Sequence, residues 1–200
     1  MAQETEAKFY IQHPADLERR VQALGAEPSE PRVLEVNLRF DTPTGRLRRA
    51  GRVLRLRQDK SARLTYKEDS RFEGGALNRR EVEFSVSNFN AAREFIEALG
   101  YKVALIYEKY RTTYKLNDLE IMLDEMPYGH FVEIEGDSRA LKSTAHALGL
   151  NWEMSIPESY SALFERLRAR RRLGFRDLTF GNFKGMEVAA GDLGVHPADS

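Results

Sequence analysis

Carboxylates and cations recur at every second residue along this chain, and that spacing points to its chemistry. Glu4 and Glu6, Glu81 and Glu83, and Glu133 and Glu135 form acidic pairs, whereas Arg55 and Arg57, and Lys109 and Arg111, form basic ones. On a β-strand, residues i and i+2 share a face, so each pair sets like charges side by side. Such neighbours destabilise a sheet unless water or opposite charges answer them, and a solvated face normally mixes its signs. Segregated pairs on successive strands therefore suggest a shared interior. Carboxylate oxygens suit Mg²⁺ or Mn²⁺, ions that bridge protein carboxylates and substrate phosphates. Arginine forks and lysine point charges suit several phosphates in a row. A polyphosphate with a divalent cation meets both demands, and internal salt bridging of all these charges is the alternative.

The elements that must position these residues follow from alternation. Glu4 to Ile11 reads as a strand with Glu4, Glu6 and Lys8 on one face. Further strands are Leu34–Phe40, Val53–Arg57, Arg63–Lys67, Arg79–Val86, about Lys102–Lys115, Leu119–Asp124 and Phe131–Glu135. The stretch from Pro28 to Pro31 reads as a connector, and Arg46 to Gly51 as a short basic link. Two similar helices intervene. The first starts at Pro14 with the stripe Leu17, Val21 and Leu24. The second is capped by Asn88 and carries Ala92, Phe95, Ile96 and Leu99. The expected fold is α+β, an eight-stranded antiparallel β-barrel (tunnel) with flanking helices, apolar faces outward under the helices and charged faces inward. That places Glu4, Glu6, Glu83, Asp124, Glu133 and Glu135 in the lumen with Lys8, Arg55, Arg57, Lys67, Lys109 and Arg111. Arg39 shares the polar face of its strand and either reaches a phosphate or is solvated or salt-bridged.

Composition sets the outer bounds. The 200 residues contain no cysteine, which excludes disulfides and thiolate metal sites. Lys plus Arg and Asp plus Glu each total 31, so no net field draws in nucleic acid or an anionic membrane. The acidic, polar start lacks a signal peptide's basic and apolar regions, and no apolar run approaches membrane-spanning length; a soluble, cytoplasmic protein is expected. There is no G-x-x-x-x-G-K-[ST] phosphate loop, and the four histidines lack ligand spacing.

The start Glu4-x-Glu6-x-Lys8, then Arg55-x-Arg57, Lys67, Glu81-x-Glu83, Lys109-x-Arg111, Asp124 and Glu133-x-Glu135, resembles the CYTH superfamily of triphosphate tunnel metalloenzymes. The likeness runs from about residue 1 to about residue 165, including Glu158-Ser159-Tyr160. It implies a triphosphate-bearing substrate and Mg²⁺ or Mn²⁺. The implied activity is an inorganic, nucleoside or thiamine triphosphatase, or a class IV adenylyl cyclase. It further implies phosphate contacts from Lys8, Arg55, Arg57, Lys67, Lys109 and Arg111, and metal ligation by Glu4, Glu6, Asp124, Glu133 and Glu135. Hydrolysis asks least of such a site: Lys8 and Arg57 would neutralise the transferring phosphoryl group while Glu83, with Glu81 beside it, orients water. Cyclisation of ATP, with release of pyrophosphate, and a non-catalytic polyphosphate-binding module are the alternatives. A homodimer stays open.

Residues 1–173 are expected to form the tunnel domain and 174–200 a tail without an assigned fold, dispensable for the barrel. The run Arg166, Arg168, Arg170, Arg171 and Arg172 ends the last helix. It is expected near a tunnel mouth, where it could attract an anionic substrate.

Overall fold

In a computed structural model that describes residues 2–199, eight antiparallel strands close into a barrel. They are β1 (Ala2–Ile11), β2 (Glu27–Asp41), β3 (Val53–Gln58), β4 (Ala62–Glu73), β5 (Ala76–Val86), β6 (Lys102–Leu116), β7 (Leu119–Met126) and β8 (Gly129–Glu135). Around the barrel the order is β1-β5-β4-β3-β2-β6-β7-β8, so β1 closes the ring by pairing with both β5 and β8. Hairpins account for most neighbours, and the alternation in sequence becomes the inside and outside of the wall.

The helices are α1 (Pro14–Ala23), the single turn α2 (Arg46–Arg49), α3 (Phe89–Ala98), α4 (Ser138–Ala147), α5 (Tyr160–Arg171) and the single turn α6 (Ala190–Leu193). On one side, α1 and α4 cover the outward residues Ala7, Phe9, Ile11, Ile121, Val132 and Ile134. On the other, α3 sets Ile96 against Leu38, Phe40 and Leu56. Asn88 caps α3 by accepting the Ala91 N–H, as its side-chain chemistry favours.

Several sequence expectations are revised. The connector at Pro28 to Pro31 is part of β2, whose ladder with β6 shifts register between Pro28 and Glu30 and again between Glu30 and Val33; prolines that donate no N–H are accommodated at such irregularities. The basic link is α2, held by Asp41, whose carboxylate accepts the N–H groups of Thr42, Leu47 and Arg48. Leu24, Phe95 and Leu99 are exposed, as are Val82 and Phe84, so the outward apolar face of β5 lies uncovered.

The largest revision concerns the end of the chain. Leu178, Phe183, Leu193 and Val195 are buried in one cluster with Met126, Tyr128 and Phe131 of the barrel end and Leu163, Phe164 and Leu167 of α5. Ala198 joins the α1/α4 core instead. The segment is pinned along its length: Leu178 pairs with Tyr107 and Pro197 with Tyr10, and the Asp199 carboxylate accepts the N–H groups of Gln12 and His13. Among the described residues, none of the run's arginines lines the cavity. Arg166 donates to the Leu193 carbonyl and to Glu158, Arg170 to the Gly191 carbonyl, and Arg171 to the Glu187 carbonyl and to Asp192. These arginines fasten the tail, because unpaired carbonyls and acids of that segment lie directly over the helix that carries them.

Candidate active site

The barrel encloses a cavity of about 700 Å³ whose wall is mostly ionisable. Three groupings share it.

The first centres on β1. Oxygen atoms of Glu4, Glu6 and Glu135 come within 4.8 Å of one another. Glu6 and Glu135 are brought together because they are directly opposed in the β1–β8 ladder. Burial, reinforced by Glu4, pushes the Glu135 carboxyl up to about 7. Burial also raises Glu6, with Glu133 adding to the effect. Cations brace the other side: Lys67 Nζ lies 2.7 Å from Glu4 and 2.7 Å from Glu81, and Arg79 lies 2.7 Å from Glu6. Among the described residues Glu135 makes no ion pair, which leaves its charge the least answered of the three. Three hard oxygen donors whose mutual repulsion is incompletely neutralised fit a divalent cation.

The second grouping centres on Asp124, which does not join that trio. Its side chain is wholly enclosed, accepting from Lys109 Nζ at 2.9 Å, Arg111 Nε at 2.6 Å and the Tyr160 hydroxyl at 2.8 Å. With its lone pairs so occupied, Asp124 serves as the base on which two cations stand rather than as an open metal ligand. Glu133 is similarly engaged, by Arg111 and by Lys8 at 3.3 Å. Although burial opposes ionisation of Glu133, Lys8, Arg111 and Lys109 hold its carboxyl well below the usual range. Tyr160, the first residue of α5, carries Lys8 Nζ 4.3 Å above its ring, and Lys8 also donates to the Glu158 carbonyl at 3.1 Å.

The third grouping lies on β2, β3 and β5. Arg57 reaches Glu35 at 3.2 Å and Glu83 at 3.4 Å, and Arg55 reaches Glu83 at 3.5 Å. Burial would raise Glu35, yet Lys109, Arg111 and Arg57 outweigh it and hold the carboxyl at about 2. Glu83 is also held low against burial, by the Thr65 hydroxyl at 2.7 Å and by Arg57 and Arg55, so it stays ionised at the cavity surface. Glu35, Arg79, Asp59 and Arg63 were absent from the sequence-derived set. The first two were legible, since Glu35 alternates with Arg39 on β2 and Arg79 with Glu81 on β5. Tyr107 was legible on the same ground, since it alternates with Lys109 and Arg111 on β6, whereas Tyr160 arrives from outside the barrel and was marked only by the Glu158-Ser159-Tyr160 likeness.

A closed antiparallel barrel with a charged interior and an acidic trio on one wall defines a class of anion-binding tunnel proteins. Residues 2–148 match the CYTH domain family, and the chain belongs to it. No curated protein matches the sequence. Among solved structures, a protein of Pyrococcus horikoshii is 29% identical, covering 78% of this chain and 96% of its own, with a TM-score of 0.67. A putative adenylate cyclase from Vibrio parahaemolyticus is 22% identical over 81% of this chain and 97% of its own, with a TM-score of 0.70. A Hippeastrum protein, described as a putative adenylyl cyclase with a dominant triphosphatase activity, is 18% identical over 81% and 95%, with a TM-score of 0.57. Among the described residues, no helix is long and apolar enough to cross a membrane.

Proposed function

We propose that this chain is a divalent-metal-dependent triphosphatase acting on inorganic, nucleoside or thiamine triphosphate. The observation that carries the reading is the single cavity in which the acidic trio Glu4, Glu6 and Glu135 faces rows of lysine and arginine. Lys8, Arg55, Arg57, Lys67, Lys109 and Arg111 bind the phosphates. Their positions are set before substrate arrives, since Asp124, Glu133, Glu35 and Glu83 hold five of the head groups in place and Glu4 and Glu81 hold that of Lys67. Such preorganisation favours the transition state, in which charge on the transferring phosphoryl group is largest.

Glu4, Glu6 and Glu135 would hold Mg²⁺ or Mn²⁺, which when bound supplies charge neutralisation at phosphate oxygens. Glu83, ionised and fixed by Thr65, is the group suited to orient a water for in-line attack, with Glu81 beside it held by Lys67. The Hippeastrum protein's dominant triphosphatase activity supports hydrolysis over cyclisation. The test is product analysis of inorganic, adenosine and thiamine triphosphates with Mg²⁺, Mn²⁺ or EDTA. Metal-dependent phosphate release is expected. Cyclic AMP with pyrophosphate as the main products from ATP would replace this reading by the cyclase one, and binding without turnover would leave a polyphosphate-binding module.

A further inference from the structure

Arg39 differs from the other cations enclosed in the cavity. Lys8, Arg55, Arg57, Lys67, Arg79, Lys109 and Arg111 each make an ion pair with a carboxylate. Arg39 makes none among the described residues; its recorded partner is the Ser161 hydroxyl in the first turn of α5. Asp41 lies on the same strand but spends its oxygens on the amides of α2. Arg39 is also set directly opposite Arg55 in the β2–β3 ladder, an arrangement of like charges that weakens a sheet unless an anion answers it. A register shift between Arg39 and Phe40 turns the strand at this point, and such a bulge re-aims the side chain.

What surrounds this guanidinium is suited to an anion. Ser159 and Ser161 line the cavity with their hydroxyls 3.0 Å apart. They stand at the start of α5, a helix of 12 residues. Ser159 already accepts the Ala162 and Leu163 N–H groups, and the N–H groups of Tyr160 and Ser161 ahead of them present the positive end of the dipole. Behind them Tyr160, Leu163, Phe164 and Leu167 of α5 pack in one apolar cluster with Leu178, Phe183, Leu193 and Val195 of the tail and with Met126, Tyr128 and Phe131 of the barrel end. Burial, opposed by Tyr107 but joined by the charge of Arg55, lowers the affinity of Arg39 for its proton, as expected of a cation awaiting a counter-charge.

We propose that Arg39, Arg55 and the Ser159–Ser161 turn form an inner anion subsite that receives an uncapped terminal phosphate. This rests on the triphosphate reading above and adds a substrate class to it: phosphate chains bearing a substituent on one end at most. A chain capped at both ends has no place to put the second cap, because the turn of α5 and the cluster behind it occupy the space beyond Arg39.

The test uses full-length protein with Mg²⁺ and non-hydrolysable probes, read by titration calorimetry. Imidotriphosphate and adenylyl imidodiphosphate should bind, and Arg39→Ala should weaken both at least tenfold. Ser161→Ala should weaken them about threefold, and Arg39→Lys should recover part of the loss. P1,P3-diadenosine triphosphate should bind at least tenfold more weakly than adenylyl imidodiphosphate and be insensitive to Arg39→Ala. Failure of imidotriphosphate to bind the parent protein would overturn the triphosphate reading itself. Normal parent binding with less than a threefold loss in Arg39→Ala, or equal binding of the doubly capped probe, would overturn the inner subsite alone. Thermal unfolding of each variant checks folding, and Ser161→Ala and Arg39→Lys decide the question if Arg39→Ala does not fold.

Discussion

Asp124→Asn separates two roles for one carboxylate. As a metal ligand in a like-charged cluster, Asp124 would repel its neighbours, and removing its charge would stabilise the metal-free protein. As the buried base of Lys109 and Arg111, it does the opposite. The substitution keeps the shape but leaves two enclosed cations, one at 2.9 Å and one at 2.6 Å, without their counter-charge. Breaking a buried ion pair by removing one partner costs about 3–5 kcal/mol. Glu35 and Glu133 remain near the two cations, so the lower half of that range applies. For a protein of this length each kcal/mol moves the midpoint by about 2–4 °C, giving a fall of roughly 6–16 °C for about 3–4 kcal/mol. Urea and thermal unfolding in EDTA at pH 7.5 measure it. An unchanged or raised midpoint would refute the anchoring role and return Asp124 to the metal set.

Other outcomes follow from the same geometry. Because the Glu135 carboxyl is raised to about 7, the folded state holds a proton that the unfolded chain releases near 4.5; the metal-free protein should therefore lose stability as pH rises between these values and lose no more from this group above about 7. Metal binding at pH 6 should release protons, seen as calorimetric heats that vary with buffer ionisation enthalpy; absence of release would remove Glu135 from the ligand set. Glu135→Gln should stabilise the EDTA-treated protein at pH 8 while weakening metal binding at least tenfold, and a destabilised variant would contradict the account of an unanswered charge. Arg57→Ala should raise KM for triphosphate far more than for a monophosphate ester, equal changes arguing against a site built for a phosphate chain. Deletion of residues 175–200 should uncover Phe164 and Leu167 and remove four buried large side chains, each worth about 1.5–3 kcal/mol, so an unaltered urea midpoint would show the tail to be dispensable.

Much of the barrel was legible because a strand with one charged and one apolar face has period two, and that alternation survives in β1, β3, β5 and β8. It correctly sorts Glu4, Glu6, Lys8, Arg55, Arg57, Lys67, Lys109 and Arg111 into one cavity. The same pattern cannot say which inward carboxylate is open and which is spent. Asp124 and Glu135 look alike in sequence, and they differ because Tyr160, which follows Asp124 by 36 positions, donates to the first. Nor does the arginine run announce its partners, since the carbonyls and acids that bind Arg166, Arg170 and Arg171 lie in a tail with no periodicity to read. The exposed face of β5 marks a further limit: Val82 and Phe84 alternate as if covered, yet both are exposed.

The ring of strands imposes a schedule on biosynthesis. Among the eight strands β1 pairs only with β5 and β8, so its wall is incomplete until residue 135 has left the ribosome. At about 5–20 residues per second, β8 follows β1 by roughly 6–25 s. Until β5 emerges β1 carries both edges bare, and until β8 follows one edge stays bare, the condition under which strands recruit foreign chains. Its every-other-residue charges, Glu4, Glu6 and Lys8, interrupt the apolar run of Ala7, Phe9 and Ile11 and act as gatekeepers against that fate. The residues assembled into the charged wall thus guard the nascent chain before any wall exists.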